Sequence, residues 1–447
     1  MLEVFSMNQR NTLKINDCGH LEIGGCDAVE LAERFGTPLY VFDEAYIRLM
    51  MRTYKKALND CFGGNGIVLY ASKAFSCKAV YKIAASEGIG VDVVSGGELY
   101  TALSSGFPAD KIYMHGNNKT PEELEYAVSE GVGAIVVDSY LEADRLDALC
   151  AEKGVKQSVL IRINPGVEAH THAYVQTATP DSKFGFSIAN GTADDITNYV
   201  LSKGNLSLKG FHCHIGSQIF EKQSFVLAAE KMMAFIAHIK NSVGFEAETL
   251  NIGGGFGIYY TDEDPKLNEN DYAQYLKALC DAIKQKSVEL GVKAPFIALE
   301  PGRSIVGEAG VTLYTAGAIK SIPGLKTYIA VDGGMFDNPR YALYQSKYTV
   351  VAAGDMNAPC TQKVTIAGKC CESGDIIAVD VPLPEIKSGD IIAVLSTGAY
   401  NYSMASNYNR NFIPQAVLVK DGKADTIIKK QTYEDIVRND VIPERLG

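Results

Sequence analysis

Residues 209–255 read KGFHCHIGSQIFEKQSFVLAAEKMMAFIAHIKNSVGFEAETLNIGGG. A short apolar run opens the stretch and gives way to polar and glycine residues around His214 and Gly216. The middle part, QSFVLAAEKMMAFIAHIKNSVG, places its apolar residues at the spacing of one helical face. A second short run then ends in three glycines, TLNIGGG. Strand, helix and strand in that order predict a βαβ unit, because parallel neighbours need a crossover of about a dozen residues or more. The rhythm extends in both directions. IVLYA (67–71), VDVV (91–94), KIYMHG (111–116), AIVVDS (134–139) and SVLIRINP (158–165) precede the unit, and PFIALEPG (295–302) follows it. Near-continuous apolar strands with helices between them predict a parallel sheet covered on both faces. Eight strands in roughly 240 residues predict a (β/α)8 TIM barrel rather than an open doubly wound sheet.

After about residue 310 the rhythm changes. TYIAVDGG, KYTVVAAG, QKVTIAGK, DIIAVDVPL, GDIIAVLST and IPQAVLVKDGK are short strands broken by Gly, Pro and Asp. Few helical stretches separate them, which predicts an antiparallel β domain, a sandwich or barrel. The first 45 residues (LKIND, HLEIGG, PLYVF) are also β-like and are expected to complete it. The expected limits are therefore 1–45 for an N-terminal β segment, 46–310 for the barrel and 311–447 for the β domain.

The composition fits a protein of 447 residues with a sizeable core: 47% hydrophobic and 21% charged. A net charge of -11 argues against nucleic acid as a main partner, since neutralising phosphates needs a basic surface. No run approaches the roughly 18 apolar residues that span a bilayer, and MLEVFSMNQR leads into polar sequence with no secretory core segment. The 10 cysteines lack a CxxC pair and read as reduced thiols of a cytoplasmic protein.

Barrel enzymes gather their active residues where the strands end, in the βα loops. Here strand one ends in Ala71-Ser72-Lys73, and strand six carries His212 and His214 followed by Gly216-Ser217. Strand seven ends in Gly253-Gly254-Gly255-Phe256-Gly257, and strand eight in Glu300-Pro301-Gly302-Arg303. The glycines let backbone N–H groups approach a phosphate without Cβ interference, or simply form a tight turn. They lack the G-x-G-x-x-G spacing of a dinucleotide site, and HGNNKT has the wrong spacing for a phosphate-binding P-loop, so a lone phosphate is favoured. Lys73 follows an apolar strand, where burial lowers an amine's pKa and frees it to attack carbonyls; most lysines, however, are solvated surface residues. A carbonyl-binding lysine beside one phosphate site suggests pyridoxal phosphate, and Glu300 can then pair with its pyridine nitrogen. The plainer reading of Glu300 and Arg303 is a structural ion pair. Strand alternation puts His212 and His214 on one face. A metal pair, stacking on a cofactor ring and core packing all remain open there, with no metal expected. Cys371-Glu372, on a predicted loop, is either an inert small hydrophobe beside a carboxylate or an exposed proton donor.

Taken in order, these motifs resemble those of the diaminopimelate decarboxylases, within the alanine-racemase-like, barrel-type pyridoxal-phosphate enzymes. The likeness covers YASKAF, VSGGEL, HGNNKT, INPGVEAHTH, DSKFGF, HCHIGSQ, NIGGGFG, EPGRSIVGEAG, VDGGMFDNPRYALY, CCESGD and GAYNYSMASNYN, nearly the whole chain. By this resemblance Lys73 is the Schiff-base lysine, His214 stacks on the cofactor ring, and Ser217, Gly253, Gly254, Gly255 and Gly302 surround its phosphate. Glu300 is implied at the ring nitrogen. Arg303 and Tyr400 are implied to contact both phosphate and substrate, Arg340 and Tyr344 to bind a substrate carboxylate, and Glu372 the distal amino group. Cys371 is the implied proton donor, and in the family it comes with Glu372 from the other subunit of a homodimer with shared active sites.

The implied reaction is decarboxylation of meso-diaminopimelate to L-lysine and carbon dioxide, the last step of lysine biosynthesis. The alternative is a related decarboxylase for carboxynorspermidine or a basic amino acid (ornithine, lysine, arginine). A second carboxylate distinguishes diaminopimelate from the basic amino acids, and a bidentate guanidinium at Arg340 suits it. The sequence departs from the family at Thr177-Ala178, often TG, and at Tyr341, usually proline. Both departures fall near substrate-facing loops.

Overall fold

The computed structural model describes residues 13–167 and 182–447, in two compact units. One unit comprises Arg48–Ile258 and Pro265–Ile305. Its eight barrel strands are Gly66–Ala71, Gly90–Val93, Ile112–Met114, Ala134–Val137, Gln157–Asn164, Leu206–His212, Thr249–Asn251 and Phe296–Leu299. Every neighbouring pair is parallel. The eighth strand closes on the first through Ile297–Gly66, Ala298–Ile67 and Leu299–Val68. All eight expected strands thus form one TIM barrel. A short strand, Phe186–Ser187, adds to the edge of Gln157–Asn164 outside the closed circuit.

Local sequence explains the helices between the strands. Lys222–Val243 buries Phe225, Ala228, Ala229, Met232, Met233, Ile236 and Ile239, the stripe expected from its spacing. Pro121–Glu130 starts with a capping box in which Thr120 and Glu123 bond each other's backbone N–H, and ends at left-handed Gly131. That cap also ends the HGNNKT loop, and Lys119 just before it is a buried structural residue. Its ammonium donates to Glu142 Oε1 (2.7 Å) and to the carbonyls of Val136 (2.6 Å) and Gly116 (2.9 Å).

The other unit comprises Met1–Ile47, Tyr259–Asp264 and Val306–Gly447. Its long strand Gly310–Ile322 pairs antiparallel with Leu39–Asp43, Ile391–Leu395 and Lys326–Val331. The unit is mainly antiparallel, yet two pairings are parallel: Lys326–Val331 with Gln362–Ala367, and Leu39–Asp43 with Gln415–Lys420. The N-terminal strand Leu39–Asp43 is therefore interior to this sheet, between Gly310–Ile322 and Gln415–Lys420. Leu21, Ile23, Leu39, Val41, Leu313, Leu395 and Val417 share its core. Tyr259–Asp264, inside the barrel's span of sequence, groups with the sheet unit because Thr349 and Ser396 donate to its carbonyls. Among the described residues no helix is long and apolar enough to cross a membrane.

Candidate active site

The barrel unit brings most of the expected cofactor residues to the ends of its strands. Lys73 lies in a single helical turn, Ser72–Ala74, directly after strand one, and is half-buried. Ser72 donates to the Asp92 carbonyl (2.7 Å) and to Glu98 Oε2 (3.0 Å), which ties this turn to the end of strand two. Burial pushes Glu98 up to about 7. Gly302, after strand eight, leaves room for this turn. A Cβ there would meet the Ala71 carbonyl at 2.8 Å and the Ala71 methyl at 2.9 Å.

Glu300 ends strand eight inside the barrel and is only 6% exposed. Asn251 Nδ2 donates to its Oε1 at 2.5 Å, His115 Nε2 lies 2.7 Å from the same oxygen, and His212 Nε2 is 3.2 Å from Oε2. Burial works to raise the Glu300 pKa, but the two imidazoles outweigh it and hold the carboxyl well below its usual range. Burial pulls His212 down to about 4, so its ring is neutral at pH 7. The carboxylate is thus ionised and held from several sides, which suits a partner for a protonated pyridine nitrogen. The group engaging Glu300 is His115, His212 and Asn251, so the structural reading of this carboxylate is a histidine–asparagine network.

His212 and His214 do not act as a pair. His212 is the last residue of strand six, whereas His214 lies beyond the strand's end and its Nδ1 accepts from the Gly254 N–H at 3.3 Å. Desolvation, with the Lys73 ammonium nearby, keeps the His214 pKa well below the ordinary value. A neutral, half-buried ring anchored at Nδ1 suits stacking on a cofactor. Among the described residues the buried grouping with metal-ligand separations is instead His115, His212 and Glu300, with donor atoms within 4.8 Å of one another.

The glycine run is enforced by packing. A Cβ on Gly253 would stand 2.5 Å from the Cys213 carbonyl oxygen, one on Gly254 2.0 Å from that of Glu300, and one on Gly255 2.2 Å from that of Gly216. Gly253 and Gly255 also have φ of +71° and +106°. Beside this loop, the Arg303 guanidinium forks onto Ser217 Oγ through Nε (3.2 Å) and Nη2 (2.9 Å). A side-chain-free loop, a hydroxyl and a guanidinium fit a phosphate, while Lys73, His214 and Glu300 fit an aldehyde-bearing pyridine ring. The arrangement therefore suits pyridoxal phosphate.

In the sheet unit, Arg340, Tyr344 and Tyr400 come together. Arg340 is buried, donates from Nε to Tyr348 Oη at 2.9 Å, and has its guanidinium 5.3 Å and 5.4 Å from the ring centres of Tyr344 and Tyr400. Tyr348 in turn donates to Asn401 Oδ1 (3.1 Å). Among the described residues no carboxylate pairs with Arg340, and its surroundings are tyrosines and Ser346. Tyr341 occupies the first turn of the helix Arg340–Tyr344, where backbone N–H groups have no helical acceptor. Proline and tyrosine are interchangeable there as far as the helix is concerned. Cys371 and Glu372 occupy an exposed loop. The Cys371 N–H donates to Asn409 Oδ1 (2.9 Å), and Asp375 pins the loop by accepting from Cys370 N and Met335 N, both at 2.6 Å. Thr177 and Ala178 lie outside the described residues.

Periodicity alone passed over Asp92, His115, Arg162 and Asn251. Each is a polar residue set within or just after an apolar barrel strand, in VDVV, KIYMHG, LIRIN and TLNIGGG. A polar side chain in such a run is the signal that marks them.

The barrel is matched by the family profile for the pyridoxal-dependent decarboxylases' pyridoxal binding domain, over residues 44–307. The diaminopimelate decarboxylase of Bacillus subtilis is 50% identical over 436 residues, covering 98% of this chain and 98% of that protein. The Staphylococcus aureus diaminopimelate decarboxylase is 46% identical over 430 residues, with 96% and 99% coverage. A crystal structure of the M. jannaschii diaminopimelate decarboxylase in complex with L-lysine superposes with a TM-score of 0.89 at 36% identity, covering 98% of this chain and 99% of that one.

Proposed function

This chain belongs to the pyridoxal-dependent decarboxylase family, and we propose that it converts meso-diaminopimelate to L-lysine and carbon dioxide, the last step of lysine biosynthesis. Its cofactor is pyridoxal phosphate, which when bound supplies an electron-accepting ring for the pair left behind as carbon dioxide departs. Lys73 is the amine that carries the cofactor, and Glu300 keeps the ring nitrogen protonated. His214 would stack on the ring. Ser217, Gly253, Gly254, Gly255, Gly302, Arg303 and Tyr400 hold the phosphate, with Arg303 and Tyr400 also reaching substrate.

The observation that carries the substrate assignment is Arg340, a buried guanidinium held by tyrosines and without a carboxylate partner among the described residues. A buried cation calls for a compensating anion. Diaminopimelate has a distal carboxylate to provide it, and lysine and ornithine do not. Tyr344 flanks the guanidinium, so we assign it to the same carboxylate. Glu372 is assigned to the distal ammonium and Cys371 to delivering the proton to Cα. Both residues are exposed on a pinned loop, which fits their service to the site of a second copy in a homodimer. All ten cysteines are free thiols, which suits the cytoplasm as its compartment.

Carbon dioxide release across diaminopimelate, lysine, ornithine, arginine and carboxynorspermidine tests the assignment. Diaminopimelate should exceed the others in kcat/KM by roughly a hundredfold or more, since a site built for a polar group rejects substrates lacking it. Equal or faster turnover of carboxynorspermidine or of a basic amino acid would assign the chain to that substrate instead.

A further inference from the structure

Glu300 shares its surroundings with a second buried carboxylate. Asp92, on strand two, is 1% exposed, and His115, just past strand three, stands between the two. The His115 Nε2 atom is 2.7 Å from Glu300 Oε1 and 4.0 Å from Asp92 Oδ1. The His115 ring is itself braced edge-on by His212, with ring centres 4.7 Å apart and planes at 68°. Burial raises the Asp92 pKa, with His115 opposing that rise and Glu300 adding to it. The buried guanidinium of Arg162 and the Lys73 ammonium also act on Asp92. A single atom of His115, Nε2, thus lies within 4.0 Å of both carboxylates.

We propose that His115 is a positioning residue for the decarboxylation, its imidazole wedged between Asp92 and Glu300 so that the Glu300 carboxylate stays ionised and aimed at the cofactor's ring nitrogen. The proposal rests on the assignment of Glu300 to that nitrogen. Two carboxylates in one dry pocket repel, and without a group between them one takes up a proton. A protonated Glu300 no longer favours a protonated ring. Asn251 still reaches Oε1 and His212 still reaches Oε2 in that case, so the network persists while its charge balance changes.

A double-mutant cycle on the holoenzyme tests this, using His115→Phe, Glu300→Gln and the double variant. The readouts are kcat and KM for diaminopimelate, the absorbance of bound cofactor, and the dissociation constant of pyridoxal phosphate from the apoprotein. His115→Phe should lower kcat tenfold to a hundredfold with KM changed less than threefold. It should also weaken cofactor binding and shift the absorbance in the same sense as Glu300→Gln. In the Glu300→Gln background it should change kcat less than threefold. His115→Gln, which keeps a donor near the Nε2 position, should recover part of the loss and serves as the single variant if the phenylalanine protein does not fold. If Glu300→Gln lowers kcat but the His115 loss adds to it in full, His115 acts elsewhere and the proposal falls. If Glu300→Gln leaves kcat and absorbance at the parent level, the Glu300 assignment itself fails and takes the proposal with it. A His115 variant that lowers the melting temperature with parental kcat, absorbance and cofactor affinity marks a merely structural histidine, which also overturns it.

Discussion

Replacing Gly254 by alanine tests whether the loop after strand seven excludes side chains because strand eight is packed against it. A Cβ at this position would lie 2.0 Å from the Glu300 carbonyl oxygen and 2.7 Å from its carbon, against an ordinary contact limit of about 3.4 Å. The obstructing atoms are backbone, so they cannot rotate away, and one strand end must move by roughly an ångström. The Gly253 carbonyl accepts the Glu300 N–H at 2.7 Å, and that bond is the first casualty of the movement. The φ of Gly254 is not in the left-handed region, so the clash alone sets the effect. Overpacking of this kind destabilises by about 1–3 kcal/mol, and a backbone-on-backbone clash belongs at the upper end. For a unit of this size, about 3 kcal/mol lowers the melting temperature by roughly 6–12 °C. The Glu300 carboxylate moves with its backbone, so pyridoxal phosphate should bind the apoprotein about tenfold to a hundredfold more weakly. Melting of the apoprotein by circular dichroism and titration with the cofactor measure the two effects. Gly204→Ala is the control, because nothing lies within 4 Å of a Cβ there. If Gly254→Ala melts within a degree of the parent and binds the cofactor equally well, the loop is not packed as described and the steric reasoning is wrong.

Arg340→Ala should reduce kcat/KM for diaminopimelate by roughly a hundredfold or more while the absorbance of bound cofactor stays parental; unchanged turnover refutes the carboxylate role. Mixing the inactive Lys73→Ala and Cys371→Ala chains should restore activity if each site draws on two copies, and no recovery in proven heterodimers refutes sharing. Lys119→Met should destabilise by about 3–5 kcal/mol in urea unfolding, because it strands the buried Glu142 carboxylate, and Lys119→Met with Glu142→Leu should recover most of that. A loss under 1 kcal/mol for the single change would mean the pair is not buried as found. His212 has a folded-state pKa of about 4, below the ordinary 6.5. The unfolded chain therefore binds the extra proton first, and stability present above pH 6.5 is lost as pH falls toward 4, by up to about 3 kcal/mol. His212→Gln should flatten that acid-side slope; an unchanged slope assigns the acid sensitivity to other groups.

Most of the barrel is legible in the sequence because each strand is buried on both faces and so is written as an apolar run. SVLIRINP and TLNIGGG show the run and the loop that ends it. The residues proposed to hold the cofactor are legible for a related reason: Lys73, Gly253 to Gly255 and Glu300 sit where those runs stop. The parallel pairings in the sheet unit were not legible. Gln362–Ala367 alternates like an antiparallel strand, and its neighbour Lys326–Val331 is chosen by packing at long range. Tyr259–Asp264 likewise carries no periodic signal of belonging to that unit.

The sequence by itself determined the barrel, the placing of Lys73 and the glycine loop at its strand ends, and the presence of an arginine at 340 with Cys371 and Glu372 further on. These follow from burial and backbone freedom, which act residue by residue and leave a local pattern. Only the tertiary structure decided that His212 serves Glu300 while His214 serves Gly254, that Lys119 is a buried structural cation, and that His115 stands between two carboxylates. Those outcomes depend on distances between strands far apart in the chain, since charges and hydrogen bonds are settled by which side chains the closed barrel brings within a few ångströms.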